Sequence, residues 1–211
     1  MNESKLREEI CWFGKSLFDR GLTAGSSGNI SARTDDGNWL MTPTNACLGR
    51  LDPATLSKID AGGNQLSGDK VTKESFLHLS MYERRPDAGA VVHLHSTYSV
   101  AVSVLSDIDV QQPIPPITAY YVMKIGKLAL LPYFAPGDLT LANAVREVAD
   151  RHHAVLLANH GPVVAGKSLD SAVYATEELE ETAKLYLLLR GSQMRVLTPA
   201  QVEALHKKFP S

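Results

Sequence analysis

The segment Ala90–His95, with the sequence AVVHLH, constrains the fold of this chain more than any other stretch. It is a short apolar run, closed off by Pro86 before it and a Ser-Thr pair after it. Such a run reads as a strand buried on both faces. A second one follows at Ala154–Ala158. Strands of this kind need helices to cover them. Helix-like and strand-like segments alternate loosely along the chain, so the expected fold class is α/β: a sheet flanked by helices, with residues 1–211 forming a single domain. Periodicity does not give the strand order.

The flanking segments agree with this layout. Leu6, Ile10, Phe13 and Leu17 share one helical face, and Gly21 stops that helix after Arg20. Ile30–Ala32 and Trp39–Met41 read as strands joined by the turn Asp35-Asp36-Gly37-Asn38. Glu74–Arg84 reads as a helix ending before Pro86. Lys127–Pro132 is a strand candidate and Thr140–Arg151 a helix. Ser168 can cap a long helix to about Arg190. Thr198-Pro199 with Gln201 resembles a capping box ahead of a short last helix. Ser99–Leu105 is apolar without a single period, and Pro113, Pro115 and Pro116 exclude regular structure around them.

Of the 211 residues 44% are apolar, enough to build a core, and the net charge of −2 supplies no basic field for nucleic acid. The cysteines Cys11 and Cys47 make no disulfide framework, the start MNESKLREEI lacks the apolar stretch of a signal peptide, and no apolar run is long enough to span a bilayer. These features lead to the expectation of a reduced, cytoplasmic chain without membrane partners.

Three histidines stand out. Alternation places His93 and His95 on one strand face, where their imidazoles can converge on one ion. His160 follows the second apolar run in an Asn159-His160-Gly161 turn. Three protein ligands with an open fourth position suit a catalytic zinc, but spacing alone leaves structural histidines equally open. His152 and His153 close a helix and read as C-terminal caps. His78 lies four residues after Glu74 and reads as a supporting or packing group. His206, in the tail, carries no signal.

Glu74 opens its helix, where a carboxylate can simply stabilise the helix or act as an acid/base beside a metal. Three donor-rich loops can hold an anion: Gly25–Asn29, with Gly28 and Asn29; Thr42–Asn45, with Thr44 and Asn45; and Thr72-Lys73 at the helix start. None is a P-loop, because no G-K-[ST] follows the glycines.

The ordered strings GSSGNIS, MTPTN, TKE, AVVHLHSTYSVAVS and LLANHGPVVAG resemble the class II aldolase/adducin family from about Leu6 to Arg190. The resemblance implies a central, mainly antiparallel sheet flanked by helices, assembled as a homotetramer. It implies zinc held by His93, His95 and His160, with Glu74 as adjacent acid/base and possible fourth ligand. It implies phosphate contacts from Gly28, Asn29, Thr44, Asn45, Thr72 and Lys73. It implies a proton-transferring tyrosine from a neighbouring subunit, matched by Tyr120 in ITAYYVM with Tyr121 as rival.

Within that family the 4-epimerases typically carry aspartate at the position of Glu74, and the fuculose-phosphate aldolases carry serine where Lys73 stands. The strings NACLGRLDP, LSGDKVTKE and EELEETAKL are most similar to a branch that decarboxylates 3-oxo-tetronate 4-phosphate, a small phosphorylated sugar acid. Fuculose-1-phosphate-type aldolase chemistry is the alternative. Adducin-like members that serve as binding modules lack the metal histidines, which this chain retains.

Overall fold

Along β5 (Ala90–His93), alternate side chains enter different cores. Val91 joins Leu77 and Met81 of α2 (Ser75–Arg84) with Leu141 and Val145 of α5 (Thr140–Val148). Ala90 and Val92 point the other way, towards Leu6 and Ile10 of α1 (Glu3–Asp19) and Val173 of α6 (Leu169–Leu189). A period of two thus builds a sheet between two helical layers. A third cluster extends the second layer, where Val102 of α3 (Thr97–Ser103), Val122 of α4 (Ala119–Lys124) and Leu179 of α6 cover Leu156 and Val164. The computed structural model describes residues 2–135 and 137–209.

The other strands are β1 (Asn29–Arg33), β2 (Trp39–Met41), β3 (Ser57–Ile59), β4 (Gln65–Ser67), β6 (Leu128–Leu131), β7 (Ala154–Leu157) and β8 (Gly161–Gly166). They form one sheet in the order β4-β3-β2-β1-β5-β8-β7-β6. Every neighbouring pair is antiparallel except β6 and β7. The fold is therefore α/β with a mainly antiparallel sheet flanked by helices, as expected. A last helix, α7 (Pro199–Lys208), begins with the expected Thr198–Gln201 capping box.

The pairing register decides where function can gather. Asn29 lies opposite His93, His93 opposite Val163, and Leu157 opposite Gly161. Ser31 faces Met41, and Leu131 faces Leu157. The starts of β1 and β8 and the ends of β2, β5, β6 and β7 consequently share one edge of the sheet.

Several boundaries differ from the sequence reading. β5 stops at His93 rather than His95, because Pro162 opposite has no N–H to extend the ladder; its carbonyl instead accepts from Leu94 N at 3.3 Å. β8 was not expected as a strand. Ser99–Leu105 resolves into α3, and α5 ends at Val148 rather than Arg151. His152 and His153 therefore lie beyond the helix and do not cap it. Their Nδ1 atoms donate to the carbonyls of Lys127 (2.9 Å) and Ala165 (3.0 Å), while Arg85 takes the Ala149 carbonyl at the helix end.

Candidate metal centre

Glu74 is the N-cap residue of α2, yet its side chain makes no capping bond. It turns instead towards the edge of the sheet. Its Oε1 lies 3.2 Å from His160 Nε2, and its Oε2 lies 3.5 Å from His93 Nε2. His95 Nε2 stands 3.2 Å from His93 Nε2 and 3.0 Å from His160 Nε2. All four residues place a ligand atom within 4.8 Å of one another.

Local structure explains this convergence. His93 is fully buried at the end of β5, and its Nδ1–H donates to the Pro162 carbonyl at 2.8 Å. That bond leaves the Nε2 lone pair facing the cluster. His160 rides the β7–β8 turn, in which Asn159 takes a left-handed φ of 59°. Gly161 follows at φ 154°, and a Cβ there would lie 2.2 Å from the Leu94 carbonyl. Only glycine lets this turn press against the segment that carries His95.

The donor set fits a divalent metal. Ligands about 2.0–2.1 Å from a tetrahedral zinc stand about 3.3 Å apart, close to the spacing of these nitrogens. Without an ion, three imidazole lone pairs and a carboxylate would crowd together with no shared proton to hold them. Burial alone raises the pKa of Glu74. The facing His160 and His93 rings and the Asn29 amide outweigh it and hold the carboxyl well below the usual carboxylate range. Burial, with His93 and His160 alongside, pushes His95 down to about 4, the neutral form that ligation requires.

A buried polar chain supports Glu74 from behind. On α2, Glu74, His78 and Tyr82 recur every four residues; on β1, Asn29 and Ser31 share one face. Tyr82 Oη donates to Ser31 Oγ (2.9 Å), and Ser31 Oγ donates to His78 Nδ1 (2.7 Å). His78 Nε2 then donates to Asn29 Oδ1, and Asn29 Nδ2 donates to Glu74 Oε2 (2.7 Å). Each group has one consistent role. Burial, with His93 close by, drives the pKa of His78 down to about 3 and keeps the ring neutral. Ser31 and Tyr82 escaped the sequence reading; the matched spacings of four and two were the available signal.

The expected anion loops gather at the same edge. An isolated bridge pairs Pro43 with Val71, and Thr44 N donates to the Lys70 carbonyl at 2.9 Å, so Thr44-Asn45 and Thr72-Lys73 lie side by side. Asn45 adopts φ 58° and is exposed, as is Lys73. Thr72 is buried, and its Oγ1 accepts from Glu74 N at 3.3 Å. Gly28, at φ 80°, sits against the His93 carbonyl. Asn29 spends its side-chain amide on Glu74 and His78, so that amide is not free for a phosphate. Tyr120 is 63% exposed on α4, whereas Tyr121 is 3% exposed and donates to the Ile114 carbonyl at 3.4 Å.

This sheet and this edge cluster define a domain able to hold a divalent metal ion. The Class II Aldolase and Adducin N-terminal domain model matches residues 8–187, and the chain belongs to that family. It is 49% identical over 203 residues to a 3-oxo-tetronate 4-phosphate decarboxylase of Escherichia coli K12, with 96% of each chain covered. The crystal structure of YgbL from Klebsiella pneumoniae superposes with a TM-score of 0.95 at 47% identity, covering 97% of this chain and 99% of that one. An L-fuculose phosphate aldolase of Methanococcus maripaludis is 37% identical, over 87% of this chain and 95% of its own. Among the described residues, no helix is long and apolar enough to cross a membrane.

Proposed function

We propose that this chain is a zinc-dependent carbon–carbon lyase that converts 3-oxo-tetronate 4-phosphate to dihydroxyacetone phosphate and CO2. The observation that carries the proposal is the convergence of Glu74, His93, His95 and His160 at one sheet edge, in a chain nearly half identical to decarboxylases of that substrate.

His93, His95 and His160 would hold the ion, with Glu74 as a further ligand while substrate is absent. A divalent metal bound there supplies Lewis-acid stabilisation of negative charge developing on the substrate oxygens. Lys73, with Thr44, Asn45, Thr72 and the loop at Gly28, binds the phosphate and fixes the substrate beside Glu74. Phosphate is the better partner for Lys73, because a cation paired with the departing carboxylate would stabilise the ground state.

In the reaction the bond between the carboxyl carbon and the hydroxyl-bearing carbon breaks. CO2 leaves, and the electron pair stays on the substrate, delocalised towards the ketone. One proton must then reach that carbon to give dihydroxyacetone phosphate. The ionised Glu74 is set to move protons at this carbon or its hydroxyl. Tyr120, exposed on α4 while Tyr121 is sequestered, is the candidate proton donor to the site of a neighbouring copy in a homotetramer.

Product analysis tests the proposal. The metal-loaded protein is incubated with 3-oxo-tetronate 4-phosphate, and CO2 and dihydroxyacetone phosphate are measured. Equal amounts of both are expected. Absence of CO2, together with aldol cleavage of fuculose 1-phosphate, would move the assignment to the aldolases.

A further inference from the structure

Glu180 is a carboxylate buried in the middle of α6, an element that carries none of the four cluster residues. Its Oε1 accepts from Tyr98 N at 2.8 Å. Its Oε2 accepts from Ser99 N at 2.8 Å and from Ser99 Oγ at 2.7 Å. Tyr98 and Ser99 are the second and third residues of α3, whose amides an N-cap side chain ordinarily satisfies. The N-cap residue is Ser96, and it makes no such bond; its Oγ is buried without a hydrogen-bond partner. Capping of α3 has passed to a carboxylate on another helix.

The position of that cap matters because α3 starts two residues after His95. β5 has already ended at His93, so no strand ladder holds His95. Its Nε2 meets the Nε2 atoms of His93 and His160, whereas His93 is also oriented by the Pro162 carbonyl. The backbone on either side of His95 aims it. On one side the fully buried Leu94 fixes it; on the other, the first turn of α3 fixes it. Glu180 holds that turn with three charge-assisted bonds.

We infer that Glu180 is a positioning residue for the metal centre, holding the start of α3 so that His95 Nε2 stays in register with His93 and His160. The inference rests on the reading of the four-residue cluster as a metal centre. Residues that orient ligands from outside the coordination sphere typically change metal affinity by about 10–100-fold when removed.

The test uses the full chain, with Co2+ affinity measured by chelator competition and the visible spectrum of the Co2+ form as a geometric signature. Glu180→Ala should weaken Co2+ binding by at least about tenfold and alter the spectrum. Glu180→Gln keeps one acceptor and should fall between wild type and Glu180→Ala. It also serves if the alanine variant does not fold. Val173→Ala, which thins the α6 packing against α1, should lower thermal stability and leave both metal readouts unchanged. Wild-type affinity and spectrum in Glu180→Gln, and in Glu180→Ala if it folds, would overturn the inference even if both melt early. If the wild-type protein itself binds no Co2+, the reading of the cluster fails first, and the inference falls with it.

Discussion

Strand β7 carries a histidine at each end, and the two behave in opposite ways. His153 precedes its first residue, donates from Nδ1 to the Ala165 carbonyl, and is packed beside Arg85. His160 comes three residues after its last residue, in the turn to β8, and directs Nε2 towards His95 and Glu74. One ring is absorbed into backbone hydrogen bonding; the other is aimed at ligand atoms. The difference shows that convergence of lone pairs, not the number of histidines, marks the edge that could hold a metal. The opposite edge gathers Arg85, Lys124 and Lys167 beside His153 around a cavity of about 210 Å³; among the described residues, the group of three or more possible metal ligands lies at the His160 end.

The largest expected effect that separates the two edges is on turnover. Glu74→Gln keeps the shape of the side chain but removes the charge that moves protons, and kcat should fall by about 10²–10⁴-fold. His153→Gln should leave kcat within about twofold, since effects of distant, uncoupled sites are nearly independent. A large loss in the second variant would erase the contrast between the edges.

Next in size is the support behind Glu74. Asn29→Ala strands His78 Nε2 and frees the carboxylate. It should cost about 1–3 kcal/mol in denaturant unfolding, as expected for a buried donor left unpaired. It should also weaken metal binding by about 10–100-fold. A stability loss with unchanged metal affinity would reduce the chain from Tyr82 to Glu74 to ordinary core packing.

Smaller again is the phosphate corner. Lys73→Met should raise KM by about tenfold, which corresponds to ~1.4 kcal/mol. The loss should shrink for a substrate analogue lacking phosphate. An equal loss for that analogue would place Lys73 on the carboxylate instead.

The smallest effect is a pH dependence at the other edge. Burial, with like charge from Arg85 and His152, lowers the pKa of His153 below its ordinary value despite the Ala165 carbonyl. As pH drops below about 6.5, the unfolded chain binds a proton that the folded chain resists. The stability linked to His153 is therefore complete above that pH and is lost as pH falls towards the folded pKa. His153→Gln should flatten that part of a stability-against-pH curve measured from pH 5 to 8. An unchanged slope would show that His153 carries none of it.

The sequence exposed those parts of the molecule whose signals are local. The helices at Glu3–Asp19 and Leu169–Leu189 were readable from periodicity and from the Ser168 cap. The turn carrying His160 was readable from Asn159 and Gly161, which adopt backbone conformations that few other residues tolerate. β8 was hidden because it opens on Gly-Pro, a turn signal that here starts a strand. β4 was hidden because its three residues are all exposed and show no alternation. The shared face of His93 and His95 followed from strand alternation, yet His95 lies beyond the strand and is aimed by α3. Glu180 sits in EELEET, which looks like a solvated face until the fold places α3 against it. Ligand types and their loops were thus legible locally, while the groups that hold them in place depended on tertiary contacts.

The most direct test of the central claim is metal content after reconstitution and gel filtration, measured by elemental analysis for wild type, His95→Ala and His153→Ala. One divalent ion per chain is expected in the wild type and in His153→Ala, with near-total loss in His95→Ala. Full retention of metal in His95→Ala would contradict the assignment of Glu74, His93, His95 and His160 as the site.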